Sequence, residues 1–140
     1  MNFTEGDQGG NRFLIRNSNE TNLHQYWDSG ANQWADDLQR PLSNASFAWI
    51  DSTSTSISTE FPRSDFSKEL QVDDVQLWTS DVYKYVLSAV YSGVEPNGVI
   101  KEAYQEVAQP LCRKLVALAG YRLANELDTL LAGFDTEGLV

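Results

Sequence analysis

The chain has 140 residues, of which 41% are hydrophobic and 11% are aromatic. A chain of this length and apolar content can bury a sizeable core as one domain, which excludes a disordered polymer. Its formal net charge of −10 means that the polypeptide by itself should repel nucleic-acid phosphates. No apolar run approaches the roughly 18 residues that a membrane span requires, so we expect no membrane partner.

The first dozen residues are rich in glycine and predict a loop. Adjacent Gly9 and Gly10 permit positive φ angles or a close approach of the backbone to a ligand. The short apolar run 13–15 is bounded by Arg12 and Arg16, and it predicts a small β element near residues 12–17.

The next segment contains the only histidine of the chain, His24, and a carboxylate four residues later, Asp28. Asn22 is a suitable N-cap, and Ser29-Gly30 is a stop signal, so we predict a short helix over 22–28. Residues four apart share one helix face, and imidazole and carboxylate are both zinc ligands. The same spacing also suits a hydrogen-bonded surface pair, and a zinc site usually takes at least three protein ligands.

The middle of the chain has weaker signals. Residues 31–50 predict two short helices broken near Pro41, with their large apolar side chains in the core. Residues 51–59 are almost entirely serine and threonine, which favours an exposed, mobile segment that ends before Pro62.

From Val72 onward, apolar residues recur at steps of three and four, which is typical of amphipathic helices. The pattern predicts helices at 72–91, 98–109 and 111–131, with Pro110 kinking or dividing the last long stretch. The fold class is therefore all-α, in one domain over residues 1–140. The residues predicted to be buried against each other are Trp78, Val82, Leu111, Leu115, Leu118 and Leu123.

Cysteine and glycosylation signals leave alternatives open. Cys112 is the only cysteine, so it is either a buried free thiol or the partner of a cysteine outside these residues. Three sequons that suit a secreted glycoprotein, and that also arise by chance, begin at Asn2, Asn19 and Asn44.

Four motifs occur in an order that resembles the zinc-dependent single-strand-specific nucleases, which are relatives of the bacterial zinc phospholipases C. They are Asp7-Gln8-Gly9-Gly10-Asn11, Asn22-Leu23-His24-Gln25-Tyr26-Trp27-Asp28, Trp78-Thr79-Ser80-Asp81 and Ala119-Gly120-Tyr121-Arg122-Leu123-Ala124. The match spans most of the chain. It implies a multi-helix bundle of the zinc phospholipase C and nuclease type.

The resemblance also implies a function. His24 and Asp28 would hold one Zn²⁺ of a site that contains three in the complete family. Loop residues Gly9, Gly10 and Asn11 would lie beside the substrate. Some relatives place an asparagine two residues after the ligand aspartate, where it contacts the base. Gly30 occupies that position here, so a base contact would use its backbone, and the base preference stays open. The implied reaction is hydrolysis of single-stranded DNA and RNA to 5′-phosphate products by a secreted or lysosome-like, monomeric enzyme.

The family draws most of its zinc ligands from residues upstream of the glycine loop, and those ligands are not in this sequence. We therefore expect the chain to be the C-terminal portion of such a domain, with the N-terminal half absent, and to be inactive alone. One alternative is a non-enzymatic helical binding module or pseudoenzyme. Another is a zinc phospholipase C, which usually has glutamate where this chain has Asp28.

Overall fold

The computed structural model describes residues 6–34 and 40–132. In chain order, the elements are β1 (Ile15–Arg16), α1 (Leu23–Asp28), α2 (Asn44–Glu60), 3₁₀ turns at Arg63–Phe66 and Glu69–Gln71, α3 (Val75–Tyr85), a π-helical turn (Val86–Val90), β2 (Gly98–Val99) and α4 (Glu102–Leu131). The predicted all-α class is confirmed.

The small β element predicted near residues 12–17 is present, and its partner lies far along the chain. β1 pairs in parallel with β2, in the register Ile15 with Gly98 and Arg16 with Val99. An antiparallel bridge joins Leu14 to Asn22 on the other side. The strand therefore connects the segment before α1 to the segment before α4.

The predicted division into helices at 98–109 and 111–131 is wrong, because α4 runs from Glu102 to Leu131 as one helix that contains Pro110. Proline removes one backbone hydrogen bond from a helix and crowds the preceding turn. Here the residues on either side of it, Ala108 and Cys112, are both buried in the main core. This packing stabilises the helical conformation on both sides of Pro110, where the local signal indicates an interruption.

The largest difference from the sequence-based expectation lies in the middle of the chain. Residues 44–60 form the single helix α2, whereas we expected short helices and then a mobile segment. Ser43 caps this helix, since its side chain accepts from the backbone N–H of Ser46 at 3.1 Å. Several hydroxyls within the helix donate back to carbonyls one turn earlier, as Thr59 does to Thr55 at 2.8 Å. Residues 35–39 of the predicted helices lie outside the described residues.

The apolar side chains of α2 are also less buried than we predicted. Phe47, Trp49 and Ile50 are exposed. Trp49 and Ile50 line one side of an apolar groove of about 370 Å³ between α2 and α4, and Tyr121 lies on the α4 side. The predicted core position of these α2 residues is therefore wrong.

Two buried clusters form the core of the described residues. The first joins the β1 region and α1 to the start of α4, and it comprises Phe13, Ile15, Leu23, Tyr26, Ala31, Ile100, Tyr104, Ala108 and Cys112. The second joins α2 and the first 3₁₀ turn to the second half of α4, and it comprises Ile57, Phe66, Ala117 and Leu118. Cys112 has a free thiol, and burial raises its pKa to about 11.

The predicted burial holds for Leu118, which is 4% exposed, and fails for Leu123, which is 59% exposed. The residue that takes the inward position on the last turns of α4 is Arg122, at 7% exposure. The other members of the predicted set, Trp78, Val82, Leu111 and Leu115, are half-buried.

Arg122 connects two of the sequence motifs in space. Its guanidinium lies 5.1 Å from the centre of the Trp78 ring, and Nη2 donates to an Asp81 carboxylate oxygen at 3.5 Å. A hydrogen bond from Lys84 lowers the pKa of Asp81, so the carboxylate is charged and can pair with the buried arginine. This contact fastens α3 to α4. Among the helices in the described part of the chain, none is long and apolar enough to cross a membrane.

The first prediction tests the position of the core face. Leu118→Ala should lower the free energy of unfolding by about 2–5 kcal/mol, because it removes a buried side chain and leaves a cavity. Leu123→Ala, on the same helix at an exposed position, is the matched control and should change it by about 0.5 kcal/mol or less. Urea denaturation of both variants measures the difference, and equal losses would mean that this face of α4 is misplaced.

Candidate metal centre

Helix α1 brings His24 and Asp28 together. The helix begins after Asn22, whose side-chain oxygen accepts from the backbone N–H of Gln25 at 2.9 Å. Its six residues place the imidazole and the carboxylate on one face, with His24 Nε2 3.2 Å from Asp28 Oδ2. The two side chains are 45% and 70% exposed, so as an ion pair they would contribute little stability.

The glycine-rich loop contacts the other side of the imidazole. His24 Nδ1 lies 3.0 Å from the carbonyl oxygen of Gly9. The loop also approaches the backbone of α1 closely, because a Cβ on Gly10 would lie 3.0 Å from the backbone nitrogen of His24. Gly10 has a φ of +90°, a conformation that glycine adopts without steric penalty.

The hydrogen-bond chemistry of this arrangement limits where the imidazole proton can lie. A carbonyl oxygen only accepts, so His24 Nδ1 must be the donor to Gly9. In a neutral imidazole, Nε2 then carries a lone pair, and it faces a carboxylate oxygen of Asp28 at 3.2 Å. Two acceptors this close repel each other unless a second ring proton or a cation lies between them. The geometry therefore suits either a doubly protonated ring paired with Asp28 or a neutral ring with a cation between Nε2 and Oδ2.

A cavity of about 200 Å³ opens beside the pair. His24, Asp28, Gly9 and Gly10 lie on one side of it. Apolar residues of α3, the π-helical turn and α4 line the remainder, namely Val82, Val86, Val90 and Leu115, together with Tyr85. The polar groups thus stand at the edge of an apolar hollow, which is the usual composition of a small-ligand site.

Trp27 fixes the orientation of α1. Its indole N–H donates to the hydroxyl of Tyr104 at 2.9 Å, and that hydroxyl donates to the carbonyl of Val90 at 2.7 Å. The Trp27 and Tyr104 rings meet edge to face, at 6.4 Å and 90°. Burial raises the pKa of Tyr104, so its hydroxyl keeps its proton and remains a donor.

Within residues 6–34 and 40–132, no group of three His, Cys, Asp or Glu side chains is placed to hold a metal ion. Asp7, a carboxylate in the glycine-rich loop, accepts a hydrogen bond from the hydroxyl of Tyr91 at 2.5 Å. His24 and Asp28 are therefore a two-ligand set in the described part of the chain.

The remaining predicted site residues lie close to the pair in sequence but not in the cavity wall. Asn11 is exposed, and its side-chain amide donates to the carbonyl of Gln8 within the loop. Gly30 is buried, with a φ of +62°, and a Cβ there would lie 2.2 Å from the ring of Trp34. In this structure, Gly30 therefore leaves room for an aromatic side chain.

A family profile described as S1/P1 Nuclease matches residues 1–132. The chain belongs to the S1/P1 nuclease family. The match covers nearly the whole chain and confirms the resemblance drawn from the motifs. It supports a nuclease-type, hydrolytic function in general. No significant match was found among curated proteins or among solved structures.

Two tyrosines that contribute to the geometry of this S1/P1-type site were not singled out from the sequence. Tyr104 and Tyr91 hold α1 and the glycine loop, respectively, by hydroxyl contacts. Each tyrosine lies far in sequence from the residue that it contacts: Tyr104 is 77 residues from Trp27, and Tyr91 is 84 residues from Asp7. No local pattern in the sequence reports contacts of this range.

The second prediction tests the close approach of the loop to α1. Gly9 and Gly10 both have positive φ, so alanine at either position should cost about 1–2 kcal/mol in backbone strain. Only the Gly10 Cβ meets another group, because none lies within 4 Å of a Cβ at Gly9. Gly10→Ala should therefore be more destabilising than Gly9→Ala by on the order of 1 kcal/mol, as overpacking is. Thermal and urea unfolding of the two variants checks this, and an equal loss would contradict the contact.

Proposed function

We propose that His24 and Asp28 of this chain hold one zinc ion of a nuclease site, and that the reaction is hydrolysis of phosphodiester bonds in single-stranded DNA and RNA. The observation that carries the proposal is the Nε2–Oδ2 pair at 3.2 Å on the open face of α1, with the opposite ring nitrogen bonded to a carbonyl. Family membership supports a nuclease-type activity, and the family is generally zinc-dependent.

The residues present fit a zinc ion in kind, although not in number. Histidines that bind a metal almost always donate their other ring N–H to a carbonyl or carboxylate, as His24 does to Gly9. The adjacent carboxylate supplies an oxygen ligand of the type that zinc accepts. A closed site requires at least one further protein ligand, so we propose that the 140 residues alone bind zinc loosely and hydrolyse little or nothing.

Each side chain has a separate part in this proposal. A zinc ion bound here would supply an activated water and positive charge beside the scissile phosphate. His24 contributes a neutral nitrogen ligand whose ring orientation is set by Gly9. Asp28 contributes a negative charge that is 70% exposed, so it is accessible to an ion arriving from solvent. The apolar wall of Val82, Val86 and Leu115 excludes water from one side of the cavity.

The net charge of −10 makes the metal the element that attracts the substrate. An acidic polypeptide repels phosphates, and a bound cation reverses the local field where it binds. A hollow of about 200 Å³ beside a helix admits one unstacked group more readily than a duplex. This supports a preference for single strands, with 5′-phosphate products as in the relatives that the motifs resemble.

We further propose that the protein is a secreted or lysosome-like, monomeric glycoprotein. Of the three sequons, the one at Asn2 lies outside the described residues. Asn19 is exposed in the loop before α1, and Asn44 is exposed at the start of α2. Exposure of both positions is what a glycan requires. Glycopeptide mass analysis of the secreted protein tests this assignment.

The third prediction tests the metal role directly. In a chain that includes a complete ligand set, His24→Ala should remove a ligand and reduce cleavage of a single-stranded oligonucleotide by about 100-fold or more, since loss of outer-sphere partners alone costs 10- to 100-fold. Asp28→Asn keeps the shape but removes a charged ligand, and activity should fall nearly as far. Bound zinc is measured in the same samples by elemental analysis.

Asp51→Asn is the matched control for charge, because Asp51 is exposed on α2, away from the cavity residues. It should leave activity and zinc content unchanged. Full activity and full zinc occupancy in His24→Ala would show that His24 is a surface histidine. If the unsubstituted protein with a complete ligand set bound single strands without cleaving them, whatever its zinc content, the non-enzymatic module would be favoured. Hydrolysis of phosphatidylcholine in place of DNA would favour a phospholipase C.

A further inference from the structure

Tyr91 contacts both ends of the glycine loop. Its hydroxyl donates to a carboxylate oxygen of Asp7 at 2.5 Å, at the start of the loop. Its ring packs edge-on against Phe13, with centroids 5.7 Å apart and planes at 65°, at the end of the loop. Tyr91 follows the π-helical turn directly, so it joins the loop to the helical body of the protein.

The segment between these two contacts has an unusual backbone conformation. Gln8, Gly9 and Gly10 have successive φ angles of +55°, +64° and +90°. Gln8 is not a glycine, so its left-handed conformation is sterically unfavourable. Such a conformation persists only when surrounding contacts hold it. Within the loop, the backbone N–H of Arg12 donates to the carbonyl of Asp7 at 2.9 Å, which closes the turn at the residue that Tyr91 holds.

The position of this loop decides which nitrogen of His24 carries its proton. A neutral imidazole has one N–H. The carbonyl of Gly9 competes for it at Nδ1, at 3.0 Å, and the carboxylate of Asp28 competes for it at Nε2, at 3.2 Å. A charged acceptor normally forms the stronger hydrogen bond. The Gly9 carbonyl therefore competes only while the loop holds it against the ring.

We propose that Tyr91 is a positioning residue: through Asp7 and Phe13 it fixes the loop so that Gly9 holds neutral His24 in the Nδ1–H form, which leaves Nε2 free for a metal ion. This inference rests on the proposed metal role of His24. It assigns to the loop, beyond any substrate contact, the selection of the histidine tautomer. Burial and the Asp7 hydrogen bond raise the pKa of Tyr91 to about 12, so the hydroxyl remains a donor over the working pH range.

The fourth prediction uses the single histidine of the chain, which gives one set of imidazole signals in a ¹⁵N NMR spectrum. In the metal-free chain, at a pH where the ring is neutral, Nδ1 should show the shift of a protonated nitrogen and Nε2 that of a lone-pair nitrogen. Tyr91→Phe should move the two shifts toward each other or exchange them, because the freed loop releases the ring to Asp28. A zinc titration followed by the same signals should show that Tyr91→Phe lowers the zinc affinity by on the order of tenfold. This is the low end of the range for loss of an outer-sphere partner.

Tyr83→Phe is the matched control. It deletes the same hydroxyl from a tyrosine of α3 that is 61% exposed, and it should leave tautomer and zinc affinity unchanged. Asp7→Ala removes the same hydrogen bond from its other end and should reproduce the Tyr91→Phe spectrum even if that variant is poorly folded. Asp7→Asn retains an acceptor oxygen and should keep most of the Nδ1–H form.

Two results would overturn the positioning role. One is an unchanged tautomer in both Tyr91→Phe and Asp7→Ala. The other is an equal shift in Tyr83→Phe, which would mean that general loosening of the fold is responsible. These outcomes are distinct from failure of the proposed function, in which His24→Ala retains zinc and activity while the tautomer of the unmodified chain still depends on Tyr91.

Discussion

The hydrogen-bonded series from Trp27 through Tyr104 to the carbonyl of Val90 is the contact on which the candidate site depends. Helix α1 has six residues, and an isolated helix of that length is not stable in water. It persists because Tyr26 is completely buried and Trp27 donates to Tyr104 on α4. Tyr104 in turn donates to Val90, the last residue of the π-helical turn, where a carbonyl lacks a partner within the helix. One tyrosine hydroxyl thereby joins three elements, and the direction in which α1 presents its polar face follows from it.

The polar face itself is built from competing acceptors. The Gly9 carbonyl and the Asp28 carboxylate lie on opposite sides of one imidazole, and the chain around them carries a net charge of −10. In such surroundings, a cation near Nε2 of His24 reduces the repulsion between that lone pair and the Asp28 carboxylate. It also reduces the repulsion among the excess negative charges of the chain. The same acidity that argues against nucleic acid binding by the bare polypeptide therefore favours occupation of the pair by a metal, which in turn provides the positive charge that a phosphate needs.

Local rules predicted those parts of the fold whose cause is local. The spacing of His24 and Asp28 and the cap at Asn22 were enough to place α1, and the structure agrees within one residue. The same rules failed where packing overrides propensity. Serine and threonine are poor helix formers, yet residues 44–60 are helical because Ser43 caps the segment and Ile57 packs against the middle of α4. Near Leu123, the periodic pattern correctly predicted a helix but assigned the wrong residue to its buried face. The buried residue there is Arg122, and Leu123 is exposed.

The candidate site shows the same division between local and distant causes. The two proposed ligands, His24 and Asp28, lie four residues apart, so the sequence alone pointed to them. The groups that orient their surroundings act over longer separations, 77 residues from Trp27 to Tyr104 and 84 residues from Asp7 to Tyr91. Those groups are tyrosines whose rings are part of the apolar pattern and whose hydroxyls have a separate polar role. A pattern of apolar positions cannot separate the two, because phenylalanine would satisfy it equally well. A candidate metal ligand can thus be recognised from a short motif, whereas the contacts that orient it belong to the tertiary structure.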